Sequence, residues 1–187
     1  MPTAVSTPAT LDDLAKVGGK AELIGGRIVP IMPTGRVPGR IAKRILRSLD
    51  DYERQSQAGE SFGDNVGYAI RPPLANGRES FSPDVSYYIG ASPYHDAGFI
   101  DGPPTFAVEV RSEHDFGPSK DQEYADKQAD YFAAGTQVVW DVDYQAETVT
   151  SYRHTDPANP VVFRRGDTAD AEPAVPGWGL KVDDIFG

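Results

Sequence analysis

Two acids in strand-like sequence and one lysine in a helix-like stretch carry the chemistry open to this chain. Glu109 stands between two valines in TFAVEVRSEHD (105–115), where Phe106, Val108 and Val110 alternate with small or polar residues, as in a strand with one packed face. In SPDVSYYI, Val85, Tyr87 and Ile89 alternate on one face and leave Asp84, Ser86 and Tyr88 on the other. If the two strands are neighbours, Asp84 and Glu109 project from the same face, close together. Carboxylates so placed repel each other and are costly to bury. A divalent cation answers both problems, because Mg²⁺ takes one or two carboxylates and keeps its other positions for water and phosphate oxygens. The plain alternative pairs Glu109 with Arg111, two residues on and therefore on the same strand face, or with a lysine. Strand patterning leaves both readings open.

The lysine sits in SKDQEYADKQADYFAAG, a helical stretch of roughly four turns stopped by Gly135. Tyr124, Lys127, Gln128 and Tyr131 are three and four residues apart and so share a face. On a helix that directly follows the Glu109 strand, Lys127 is placed to reach the acidic pair. There it would orient or deprotonate a water, or neutralise charge on a transferring phosphate. Its ordinary alternative is a solvent-exposed ion pair with Glu123, worth roughly 0.3–0.5 kcal/mol.

The elements that must position these groups follow from the pattern around them. Residues 1–9 are small, polar and proline-containing and are expected to be a disordered tail, leaving 10–187 as a single domain. TLDDLAKVGG reads as a short helix capped by Thr10, and AELIGGRIVPI as a hairpin turning at Gly25–Gly26. From Arg40 to about Ser56, Ile41, Ile45, Leu46, Leu49 and Tyr52 recur at helical spacing. Basic Arg40, Lys43, Arg44 and Arg47 lie between them; a solvated basic face is the simpler reading, phosphate contact the other. DNVGYAIRPP and SPDVSYYIG are strand-like, and ASPYHDAGFIDGPP is a loop by composition. After the Lys127 helix come strands TQVVWDVD, ETVTSYR and PVVFRR, and then PGWGLKVDDIFG, a docked C-terminal turn. One helix, many strands, a central helix and more strands indicate a mixed α/β or α+β domain on a sheet-based core.

Composition narrows the function classes. With 187 residues and 39% apolar content, one domain with a real core is expected. The absence of cysteine excludes disulfides, thiol catalysis and thiolate metal sites. His95, His114 and His154 lack metal-ligand spacing. No apolar run spans a bilayer and no secretory signal opens the chain, so a cytoplasmic protein without a membrane partner is expected. The net charge of −10 argues against broad adhesion to nucleic acid while leaving a local site open.

PDV (83–85), EVRS (109–112) with Asp115 after it, KQADYFAAGTQVVWDVD and ETVTSYR together resemble the Uma-type restriction-endonuclease-like family, a branch of the PD-(D/E)XK phosphodiesterase superfamily. AELIGGRIV is similar to that family's N-terminal hairpin and GLKVDDIF to its closing segment, so the likeness spans residues 10–186. No single motif is specific; the ordered set is.

The resemblance implies a restriction-endonuclease-like fold: a mixed central sheet flanked by helices, with an acidic Mg²⁺ or Mn²⁺ site on adjacent strands and DNA as substrate. Asp84 matches the Asp of PD, and Glu109 the acid of (D/E)XK, with a backbone carbonyl near Val110 helping to hold the metal. The superfamily's lysine falls at Arg111 in strict register, and Lys127 takes its place. Glu22 matches an N-terminal Glu that serves as auxiliary ligand or general base. Arg111, Ser112, Gln128 and Tyr131 are expected to support the site. A histidine that the family often has before the long helix is missing from TGRVPGR, and SPSD is replaced by SEHD, which makes His114 a further candidate.

The expected function is therefore a metal-dependent DNA endonuclease. The rival is a catalytically inactive nuclease-fold module used for self-association or for binding a partner. Should TQVVWDVD or ETVTSYR lie at a sheet edge, each would favour pairing with a second copy, and a homodimer is expected.

Overall fold

The computed structural model describes residues 7–90 and 98–187. Helix α1 (Leu11–Leu14) is one turn held by a capping box, in which the Thr10 amide donates to Asp13 Oδ2 at 3.0 Å and the Asp13 amide to Thr10 Oγ1 at 3.3 Å. Strands β1 (Ala21–Ile24) and β2 (Arg27–Pro30) form the expected hairpin. Gly25 and Gly26 take φ of 57° and 68°, the left-handed pair that a two-residue turn between Ile24 and Arg27 requires.

Helix α2 (Arg36–Ser56) begins at Arg36, earlier than its apolar spacing suggests. Pro38 does not delay it, because an amide in the first turn has no intrahelical partner to lose. Strands β3 (Glu60–Phe62), β4 (Tyr68–Ala69), β5 (Ser80–Phe81), β6 (Val85–Tyr88) and β7 (Ile100–Asp101) follow. The region read as a loop thus contains β7, which pairs in parallel with β4; His95 lies outside the described residues. Strand β8 (Phe106–Val110) is buried at every position. It leads into helix α3 (Pro118–Ala134), closed by Gly135 at φ 112°. The rest is β9 (Val138–Asp143), β10 (Thr148–Arg153), β11 (Val161–Phe163), β12 (Thr168–Asp170), β13 (Gly179–Lys181) and helix α4 (Val182–Phe186).

Six strands make the main sheet in the order β11-β10-β9-β8-β6-β3. Only β8 and β9 are parallel, and α3 is the crossover that a parallel pair needs. The mixed α+β architecture expected from the sequence is the one observed. One correction concerns the edges. The segments TQVVWDVD and ETVTSYR form β9 and β10, which are interior to the sheet, and β11 and β3 are its edges. Covalent order hid this, because β11 returns from a later part of the chain to cover β10.

Alternation along β8 divides the molecule into two cores. Phe106, Val108 and Val110 join Val85, Tyr87, Trp140 and the apolar face of α2. The C-terminal segment closes that side, with Trp178 5.2 Å from Trp140, ring centre to ring centre. Ala107 faces the other way with Tyr68, Phe81, Tyr131 and Phe132, under α3. Glu109 shares the face of Ala107, and so points toward α3. Among the described residues, no helix is long and apolar enough to cross a membrane.

Candidate active site

Strand register brings the acids together. Val85 pairs with Val108 and Ser86 with Ala107, so one step further puts Asp84 opposite Glu109. The Asp84 amide donates to Val108 O at 3.1 Å, continuing the ladder, and its side chain turns so that Oδ2 accepts the Val110 amide at 2.9 Å. The Val110 contact made is therefore through its N–H. The two acids feel each other: Asp84 is among the groups that raise the Glu109 pKa.

Glu109 is 9% exposed. Its Oε1 accepts from Tyr131 Oη at 2.6 Å and lies 2.8 Å from Lys127 Nζ. Tyr131 is fixed by stacking on Phe81, with ring centres 4.2 Å apart. Burial pushes the Glu109 carboxyl above its ordinary range; Lys127 opposes this and Asp84 adds to it. Lys127 Nζ also lies 3.1 Å from Glu22 Oε1, so one ammonium joins two carboxylates from different parts of the chain. Burial works against that ammonium, but Glu109 and then Glu22 outweigh it and hold Lys127 above the ordinary lysine value. A lysine held this way favours its charged form, which donates hydrogen bonds and positive charge to both acids.

Glu22 is anchored on every side. Its Oε1 also accepts the Ser82 amide at 3.0 Å, and Oε2 accepts from Arg78 Nη1 at 2.6 Å. Arg78 is held in turn by Asp130 at 2.7 Å. Burial pushes Glu22 up, yet Lys127, Arg78 and the Ser82 amide together bring it below the ordinary glutamate value. Lys20 completes the cluster, with Nζ 2.7 Å from Asp84 Oδ1 and 2.7 Å from Asp64 Oδ1.

Of the ordinary pairings weighed above, Glu109 with Arg111 and Lys127 with Glu123 do not occur, while a lysine partner for Glu109 does, in Lys127. Arg111 reaches neither Glu109 nor the acidic pair: it grips Asp141 through two bonds of 2.8 and 2.7 Å, takes Asp121 at 2.6 Å, and lies over the Tyr124 ring. The parallel register explains this, since β9 places Asp141 beside Glu109 and so two residues from the register of Arg111, on the same face. Glu123 pairs with Lys120, not with Lys127. Ser112 is bound to Asp115 at 2.6 Å, within the turn after β8 and away from the acids. His114 is exposed. Gln128 lines a cavity of about 240 Å³ beside the cluster, together with Glu109, Arg111, Tyr124, Lys127 and Tyr131.

Two members of the cluster went unread in the sequence. Lys20 precedes Glu22 by two in an extended segment, which places both on one side; that signal was available. Arg78 offered none, because nothing in the turn-rich LANGRES indicates that it folds back against β1, where it bridges to Ile24.

Among the described residues, no group of three or more His, Cys, Asp and Glu side chains is arranged to hold a metal. The donor set of Asp84 and Glu109 nevertheless fits Mg²⁺ or Mn²⁺: two hard oxygen ligands on facing strand positions, each now drawing an ammonium, with water left to fill the remaining positions.

A family model described as "Uma2: Putative restriction endonuclease" matches residues 8–183. A solved structure, titled as a putative nuclease belonging to DUF820 from Anabaena variabilis ATCC 29413, superposes with a TM-score of 0.70. It is 22% identical, over 96% of this chain and 98% of that one, a likeness of fold. No curated protein matches the chain.

Proposed function

The chain belongs to the Uma2 family of restriction-endonuclease-like proteins, and from that premise we propose that it is a metal-dependent endonuclease that hydrolyses phosphodiester bonds in DNA. The observation that carries the reading is the placement of Lys127 against Glu109, on the strand facing Asp84. A structural salt bridge gains nothing from a second, like-charged carboxylate opposite the first, whereas a divalent ion can take both as ligands.

In this reading Asp84 and Glu109 would hold Mg²⁺ or Mn²⁺, which would supply a water of lowered pKa and positive charge beside the phosphate. Lys127, kept protonated, orients that water and donates to the phosphate oxygens as charge builds. Glu22 is a positioning residue: with both oxygens engaged, it holds Lys127 in place rather than acting as a base. Tyr131 fixes the Glu109 carboxylate through its hydroxyl. Gln128, in the adjoining cavity, contacts the incoming strand. A homodimer would present two such sites to a duplex; the edge strand β11, with Val161 and Val162 partly exposed, is where a second copy would add.

The test is cleavage of supercoiled plasmid and of single-stranded DNA by the purified protein with Mg²⁺, Mn²⁺ or EDTA, beside Asp84→Ala and Lys127→Ala. Metal-dependent cleavage lost in both variants supports the reading. Equal cleavage by all three proteins identifies a contaminant. No cleavage and no Mn²⁺ binding by calorimetry favours the inactive binding module.

A further inference from the structure

We infer that the outward face of α2 is the track on which the DNA backbone lies as it enters the site, an inference that rests on the nuclease reading and adds the surface that reading lacks. Arg36, Arg40, Lys43 and Arg47 follow one another at intervals of four, three and four residues. At 3.6 residues per turn they fall within an arc of about 60°. Pro38, Ile41, Ile45 and Leu49, the buried residues of the helix, lie on the opposite side. The stripe runs about 16 Å along the axis at 1.5 Å per residue, the length of several phosphates at about 3.4 Å of duplex axis each.

Three further observations point to an anionic ligand. All four side chains are exposed, and among the described residues none takes an ion pair or a side-chain hydrogen bond. Lys20, Arg78, Arg111 and Lys127, by contrast, are each held by carboxylates. Secondly, the stripe opposes the stability of its own helix. Like charges three and four residues apart repel, and Arg36 stands in a first turn that has no acidic residue and no side-chain cap, where the helix dipole disfavours a cation. Thirdly, the stripe is continuous with the acids: Lys43 lines one cavity, of about 260 Å³, together with Asp64, Asp84 and Val110. In a chain with a net charge of −10, an unpaired cationic row that meets the Asp84 cavity at Lys43 is a local field able to draw a polyanion toward the acids.

Binding is measured by fluorescence anisotropy on a short labelled DNA duplex in EDTA, so that no cleavage intervenes. Wild type is compared with R40E/K43E/R47E and with R27E/R164E/K181E, which changes net charge equally at exposed positions elsewhere; thermal melts confirm that both fold. The stripe variant is expected to bind at least about tenfold more weakly, and to flatten the slope of log K against log salt by about 2 to 3, at about 0.9 per lost phosphate contact. The control variant should retain the wild-type slope. Equal losses in both variants, unchanged binding by the stripe variant, or binding by the stripe to anionic lipid vesicles but not to duplex would overturn the inference. The plasmid assay separates its fate from that of the nuclease. Cleavage that survives in the stripe variant removes the track and leaves the enzyme; stripe-dependent binding without cleavage under any metal leaves the track and removes the enzyme.

Discussion

Lys127 Nζ stands 2.8 Å from Glu109 Oε1 and 3.1 Å from Glu22 Oε1, a single part-buried ammonium between two buried acids that lie 87 positions apart in the chain (109 − 22). Lys127→Met keeps the aliphatic length and deletes the charge, which takes from Glu109 the cation bound to it while Glu22 keeps Arg78. Breaking a buried pair in this way costs about 3–5 kcal/mol. Urea denaturation should show that loss at neutral pH, with cleavage abolished. The double variant Lys127→Met/Glu109→Gln should recover much of the stability and none of the activity, which separates folding from chemistry.

Acid should weaken the fold partly through Glu22. Its pKa in the folded state lies below the ordinary value of 4.5, so an unfolded chain takes up the proton first as pH falls. The stability it contributes is therefore complete above about pH 4.5 and lost as pH drops through the lowered folded value. Asp115, also lowered despite burial because of its bonds from Ser112, adds to the same limb. Denaturant midpoints followed from pH 7 to pH 3 should fall less steeply for Glu22→Gln than for wild type. An identical acid limb in both proteins would contradict the assignment.

Arg111 occupies the register of the superfamily lysine but is committed to Asp141 and Asp121. Arg111→Lys cannot reproduce the two-pronged grip on Asp141, and should cost about 1.5–3 kcal/mol, the worth of a hydrogen bond to a charged group. Metal-dependent cleavage at a temperature where the variant remains folded should persist, because Lys127 is untouched. Complete loss of cleavage in a folded Arg111→Lys would show that the Arg111 guanidinium itself is needed for the chemistry.

Metal binding should stabilise the native state. At a Mn²⁺ concentration about tenfold above its Kd, linkage gives about 1.4 kcal/mol, or a rise of roughly 3–6 °C in melting temperature for a chain of this size. Asp84→Asn should abolish the rise. Lys20→Met, which removes the ammonium now on Asp84 Oδ1, should tighten Mn²⁺ binding several-fold by calorimetry, since it deletes a competing cation.

Much of this architecture was legible in the sequence because it is local or periodic. The alternation in FAVEV put Glu109 on the face opposite its valines, the four-and-three spacing in α3 put Lys127 and Tyr131 on one side, and Gly25–Gly26 specified a tight turn. Tertiary structure decided who pairs with whom. The parallel register of β8 and β9 gave Arg111 to Asp141, the pairing of β11 made β10 an interior strand, and the folding back of residues 78–82 on β1 locked Glu22 between Arg78 and Lys127. The reason is physical: periodicity fixes which side of an element a residue faces, whereas the partner of a charge depends on which distant segment the sheet brings beside it.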